Sequence, residues 1–176
     1  VQTTIDYARR MGIESELSPD LSLALGSSGL ALLELTRAYA CIANNGLLPR
    51  PYAIERIEDR RGHVLEENQP LLEEAVSAQT AFVMTDLLKG VVQEGTGWRI
   101  RALKRPAAGK TGTTNDQRDA WFMGFTPEFV TGVWVGYDDR VPMGRGETGS
   151  RAASPIWLQF MEAALKDLPV EDFSVP

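Results

Sequence analysis

The stretch AGKTGTTNDQRDAWFMGFTP, residues 108–127, runs into EFVTGVWVGY, residues 128–137, and these two segments decide the fold. Ala107 to Thr113 reads as a short strand and Ala120 to Phe125 as an aromatic-rich one. Phe129 to Tyr137 is rich in Val and Trp and apolar on both faces, the pattern of an interior strand. Only Thr126-Pro127-Glu128 joins the last two, so they are expected to pair as an antiparallel hairpin. Gly132 and Gly136 predict that another element packs closely on the second of them.

Lys110-Thr111-Gly112-Thr113 invites two chemical readings. A phosphate-binding loop needs a glycine five positions before Gly109, and Lys104 stands there. It also needs a helix directly after the lysine, where a strand is read instead. The second reading places an ammonium, two hydroxyls and a side-chain-free residue at a strand edge beside a cleft. An extended substrate can pair with such an edge. The ammonium and the hydroxyls suit a carboxylate or acyl group, and the Thr113 amide can point at a developing oxyanion. A Lys-Thr-Gly element of this kind occurs in serine β-lactamases and penicillin-binding proteins.

Outward from this segment the chain reads as helices with clear stops. Thr4 to Gly12 is a short helix ended by Gly12, and Leu30 to Asn44 a longer one ended by Asn44-Asn45-Gly46. Tyr52 to Glu66 alternates like an exposed hairpin turning at Asp59-Arg60-Arg61-Gly62, and Glu66 to Glu74 reads as a polar loop. Ser77 is expected to cap a helix through Gln93, with Met84, Leu87, Leu88 and Val91 as its buried stripe. Gly95-Thr96-Gly97 ends it in a turn. Asp138 to Arg151 is a glycine-rich loop. The last helix is expected over Pro155 to Lys166, capped by Ser154, with Trp157, Phe160, Met161 and Ala164 buried.

Composition narrows the function. The net charge is −6 with both signs interspersed, and Arg9-Arg10 and Arg60-Arg61 are only short basic pairs, so no nucleic-acid surface is expected. Cys41 is the single cysteine and His63 the single histidine, which excludes an internal disulfide and a Cys/His zinc site. Cys41 is read as core, and His63 as a surface residue of the hairpin. Asp138-Asp139, adjacent on a strand end, point different ways and make no metal pair. No cofactor and no metal is called for. Asp116, Arg118 and Asp119 read either as a cleft-edge loop or as a solvated turn. No apolar run approaches the roughly 20 residues of a membrane-spanning helix. The chain opens at Val1 without a leading Met, which reads as a fragment or a processed chain.

Residues 108–127 closely resemble the third active-site motif of class A, bifunctional penicillin-binding proteins, and Val130 to Asp139 resembles that family's next strand. Leu25 to Ser28 with Leu33 to Tyr39, Gly95 to Gly97, and Gly146 to Trp157 are similar to other family segments, in the same order. The resemblance implies an α/β fold, an antiparallel sheet flanked by helices, of which residues 1–176 form the C-terminal portion of a transpeptidase domain. It implies a serine acyltransferase: a Ser-x-x-Lys serine attacks a D-Ala-D-Ala stem peptide, D-Ala leaves, and a neighbouring peptide's amine takes the acyl group. A Ser-x-Asn motif assists proton transfer.

By position, Lys110 supplies electrostatics and hydrogen bonding, Thr111 and Thr113 contact the carboxylate, and the Thr113 amide is half of the oxyanion hole. Gly112, Thr114 and Asn115 complete the substrate-binding set. The implied partners are peptidoglycan stem peptides and β-lactam antibiotics. The implied location is the periplasmic face of the cytoplasmic membrane, with the anchor in a segment outside this sequence. One departure is decisive. The residues three before Lys89, Lys104, Lys110 and Lys166 are Asp86, Arg101, Ala107 and Ala163, and no serine has Asn two positions later. The chain is therefore expected to start after both motifs, with the missing part of the domain, or a companion chain, bringing the nucleophile. A β-lactam-hydrolysing or -sensing relative and a catalytically dead binding module are the alternatives.

Overall fold

The computed structural model describes residues 1–176. Helix α1 (Gln2–Arg10) leads to Gly12, whose φ of +88° is the left-handed conformation that ends helices. A single 3-10 turn (Leu21–Leu25) precedes α2 (Leu32–Ala43), which stops where Asn45 and Gly46 both take positive φ. Strand β1 (Leu47–Pro49) follows. The expected ribbon forms from β2 (Arg56–Glu58) and β3 (Val64–Glu67), and the Asp59 carboxylate closes its turn by accepting from the amides of Arg61 and His63. His63 is exposed there, as expected.

Residues 66–74 read as a polar loop in sequence, yet Leu72–Glu74 is a strand, β4, paired antiparallel with β1. A three-residue ladder carries too little pattern of its own; its conformation is specified by the partner strand. Helix α3 (Ala78–Gln93) begins at Ser77, whose hydroxyl accepts from the Thr80 amide at 3.2 Å. This is the expected cap.

The main sheet runs in the order β5 (Ala108–Thr113), β6 (Asp119–Phe125), β7 (Val130–Gly136), antiparallel throughout. Its register sets Lys110 opposite Met123 and Gly132, and Thr111 opposite Phe122 and Val133. The interior strand is β6, with most of its residues buried, whereas β7 is half-buried along its whole length. The interior strand expected from sequence is therefore the wrong one: the Val- and Trp-rich run 129–137 forms an outer strand, because pairing order rather than apolar composition decides which strand is central.

Helix α2 covers one sheet face. A Cβ on Gly132 would lie 2.5 Å from Thr36 Oγ1 and 3.0 Å from Leu32 Cδ1, so this glycine is where the helix comes closest. Tyr39 meets Phe125 edge-on at 6.5 Å. The other face carries the largest core cluster: Phe122 and Trp157 edge-to-face at 5.3 Å, with Ile100, Met161 and Leu165 fully buried around them.

Two helices bury different stripes from those expected. On α3 the buried residues are Ala81, Thr85, Leu88 and Val92, while Leu87 is 61% exposed. Small Ala81 and Thr85 let α3 sit close to its neighbours, and Leu88 and Val92 serve the two core clusters that flank β5. On α4 (Ser154–Ala164) the buried line is Trp157 and Met161, continued by Leu165, while Phe160 is 55% exposed and Ala164 half-buried. Ser154 does not cap this helix from outside. A π-helical turn (Gly149–Ala153) runs straight into α4, and the Ser154 hydroxyl donates to Ser150 O at 2.7 Å. Pro155 occupies the first turn, as expected.

Cys41 is wholly buried, and burial pushes its thiol up to about 11. After α4 the chain is clamped by the Arg105 guanidinium, which donates to the carbonyls of Leu165, Leu168 and Pro169. That clamp directs Phe173 onto Phe125, 5.6 Å away and edge-on.

Candidate active site

The Lys110 to Thr113 segment lies on β5, the outer strand of the sheet, and alternation along it divides its side chains between two faces. Lys110 and Gly112 share the face covered by α2. Thr111 and Thr113 share the face of Phe122 and α4. The motif therefore brings its ammonium and its hydroxyls to opposite sides of one edge.

Backbone direction follows from the turn beyond the strand. The Thr114 amide donates inward to Asp119 O at 3.1 Å. Amides alternate in direction along a strand, so those of Thr111 and Thr113 face the open edge of β5. Ala108 and Gly109 are buried at the start of the strand, whereas Lys110 and Thr113 are exposed at its far end. The edge is thus covered at one end and accessible at the other.

Each motif side chain has a defined partner. Lys110 Nζ donates to Thr111 O at 2.8 Å. Thr111 Oγ1 is 2.7 Å from Thr96 Oγ1. Thr113 Oγ1 accepts from the Gly149 amide at 3.0 Å. Gly112 faces the neighbouring strand: a Cβ there would stand 3.1 Å from Trp121 Cβ.

Thr114 and Asn115 belong to the turn that closes the hairpin. Thr114 Oγ1 accepts from the amides of Arg118 and Asp119, at 3.1 and 2.8 Å, which uses that hydroxyl oxygen to hold the turn. Asn115 begins the 3-10 turn Asn115–Gln117 and is exposed. The polar residues that follow separate into two roles. Asp116 and Arg118 form an exposed ion pair at 3.4 Å. Asp119 Oδ1 accepts from Trp134 Nε1 at 2.7 Å and braces the sheet.

Three neighbours of the motif lie in segments that resemble the family, but sequence reasoning assigned none of them a role in the site. Thr96 sits between two glycines in the segment that ends α3 and resembles the family. Gly149 lies in the glycine-rich loop, 36 residues beyond Thr113. Gln117 accepts from Met143 through its carbonyl and from Gly146 through its side chain, at 3.0 and 2.6 Å, joining that loop to the motif's turn. Only Gly-Thr-Gly carried a local signal, because two glycines around one hydroxyl mark a turn that presents it. An apolar cavity of about 250 Å³ lies elsewhere, between α1, α2 and α3, lined by Ala8, Met11, Ala38, Tyr39, Ile42 and Leu88 among others; no residue of the motif lines it. Burial there pushes the Tyr39 hydroxyl up to about 12.

Known proteins resemble this chain in both sequence and fold. Residues 9–162 match the penicillin binding protein transpeptidase domain. The chain is 45% identical over 175 residues to penicillin-binding protein 1A of Aquifex aeolicus, an alignment covering 99% of this chain and 24% of that protein. It superposes on the crystal structure of penicillin-binding protein 1A from Haemophilus influenzae with a TM-score of 0.90 at 32% identity, covering 99% of this chain and 32% of that one. It also superposes on PonA1 from Mycobacterium tuberculosis, solved in complex with penicillin V, with a TM-score of 0.85 at 26% identity, covering 99% of this chain and 52% of that one. The chain spans about a quarter of the length of the curated relatives it matches. With the family match over most of its length and the sheet, helices and motif strand superposing on solved members, the chain belongs to the penicillin-binding protein transpeptidase domain family.

Proposed function

We propose that this chain supplies the substrate-binding strand of a peptidoglycan cross-linking D,D-transpeptidase that works through a serine acyl-enzyme and is acylated by β-lactams. The observation that carries this reading is the accessible end of β5, where the Thr113 amide faces outward beside Lys110 in a member of the transpeptidase family. The penicillin V complex of PonA1 supports the β-lactam part.

In this mechanism a D-Ala-D-Ala stem peptide lies extended along β5 and pairs with its outward amides. A serine hydroxyl oxygen bonds to the carbonyl carbon of the penultimate D-Ala. The oxygen of that carbonyl becomes negative and receives the Thr113 N–H. The peptide C–N bond then breaks, and the departing D-Ala amine takes the serine's proton. An amine from a neighbouring peptide attacks the ester and frees the serine. Lys110 swings from Thr111 O toward the substrate's negative charge, Thr111 and Thr113 hold the terminal carboxylate, and Gly112, Thr114 and Asn115 shape that end of the groove.

We place the nucleophile and its base outside residues 1–176, because no serine here has Lys three positions later. We likewise place the membrane anchor outside them, with the site on the periplasmic face; no helix of this chain is long and apolar enough to cross a membrane.

Mass spectrometry of the complete domain after incubation with a β-lactam tests the proposal. One stable adduct is expected, on a serine outside residues 1–176, and none on the chain by itself. A stoichiometric adduct on a serine of this chain overturns the assignment. Rapid hydrolysis by the complete domain would assign it to the β-lactam-hydrolysing alternative.

A further inference from the structure

The Gly95-Thr96-Gly97 turn is built to hold one hydroxyl in place. The amides of Gly95 and Gly97 both donate to Val91 O, at 3.1 and 3.0 Å, so the chain folds over the last turn of α3. A Cβ on Gly95 would come within 2.9 Å of that same oxygen, and one on Gly97 within 3.2 Å. A side chain at Gly95 would displace the turn and one at Gly97 would be tight against it, so the flanking glycines favour this presentation of Thr96. Thr96 is exposed, and its Oγ1 lies 2.7 Å from Thr111 Oγ1 on the motif strand.

A hydroxyl has one hydrogen to give and two lone pairs to receive. On Thr113 one lone pair is taken by the Gly149 amide, which leaves its O–H hydrogen to donate elsewhere. Thr111 shares that face of the strand. If the Thr96 hydroxyl donates to it, the Thr111 hydrogen is released in the same way, and the two threonines present a pair of O–H donors. If Thr111 donates to Thr96 instead, its hydrogen is spent within the protein. A carboxylate, an acceptor only, selects the first arrangement.

We propose that Thr96 is a positioning residue for carboxylate recognition: it donates to Thr111 and so turns the Thr111 hydroxyl toward the ligand beside that of Thr113. This rests on the transpeptidase reading above and adds to it a residue from another element. Thr96 touches no ligand itself. Its contribution is to the direction of a neighbouring hydrogen, and it is therefore specific to ligands that accept one at that position.

The test uses the complete transpeptidase domain as wild type, Thr96→Val and Thr96→Ser. The readout is the ratio of acylation efficiencies for a β-lactam with a free carboxylate and for its neutral methyl ester. Thr96→Val is expected to lower that ratio by about tenfold, the scale of one hydrogen bond to a charged group. Thr96→Ser, which keeps the hydroxyl, is expected to retain the wild-type ratio. Because the ratio does not depend on how much protein is folded, it stays readable if a variant is less stable. An unchanged ratio in Thr96→Val, or an equal fall in Thr96→Ser, overturns the proposal. A wild-type domain that forms no adduct at all rejects the transpeptidase reading and this inference with it, whereas a wild-type adduct with an unaltered Thr96→Val ratio rejects the role of Thr96 alone.

Discussion

The Gly149 amide donates to Thr113 Oγ1 at 3.0 Å, and it does so from a position that only glycine can occupy. A Cβ on Gly149 would stand 2.3 Å from Trp121 O and 2.5 Å from Gly112 O, so the π-helical turn lies directly on the backbone of the motif strand and its partner. Gly149→Ala is expected to force the turn away, lowering stability by about 1–3 kcal/mol as overpacking does. Chemical denaturation measures this, and an unchanged midpoint would show that the turn relaxes without cost.

Lys110 is exposed and bonds only to its own strand's Thr111 O, so its removal leaves packing intact. Lys110→Ala in the complete domain is expected to slow β-lactam acylation on the order of 10²-fold, the scale for losing one oxyanion-type contact. Melting should stay within about 0.5 kcal/mol of the parent. Acylation at the parental rate would remove Lys110 from the site.

Trp157 and Phe160 test which face of α4 is docked. Trp157 is wholly buried, meets Phe122 edge-on and donates from Nε1 to Thr131 O at 3.0 Å. Trp157→Ala is expected to cost about 3–5 kcal/mol. Phe160 is 55% exposed, and Phe160→Ala should cost far less, under about 1 kcal/mol. Equal losses in thermal unfolding would contradict the observed stripe.

Glu34 predicts an acid limb in stability. Its carboxylate accepts from the Ser15 hydroxyl and from the amides of Ser15 and Glu14, which holds it below the ordinary value of 4.5. The folded state favours the ionised form, so this stabilisation is complete above the ordinary value and is lost as pH falls through the lowered one. Melting curves of wild type and Glu34→Gln should differ at neutral pH and converge as pH drops below 4.5. A gap that is constant across that range would mean that the carboxylate's charge is not what binds the loop to α2.

Sequence alone determined the elements whose signals are local. The apolar runs around Trp121 and Trp134, joined by Thr126-Pro127-Glu128, specified a hairpin because three linking residues allow little else. Ser77, Gly12 and Asn45-Gly46 marked helix ends through hydroxyl geometry and positive φ. Lys110 to Thr113 stood out because an ammonium, hydroxyls and a bare backbone on one strand make a chemical unit. Tertiary structure decided the rest. On α3 the Met84-Leu87-Leu88-Val91 stripe and the Ala81-Thr85-Leu88-Val92 stripe follow helical spacing equally well, and only the neighbouring elements choose between them. β4 exists because β1 is there to pair with it. Thr96 and Gly149 reach the motif only because α3 ends, and α4 begins, on the same face of β5. Their hydrogen bonds join residues far apart in sequence, and no pattern of neighbouring residues encodes a meeting that packing alone brings about.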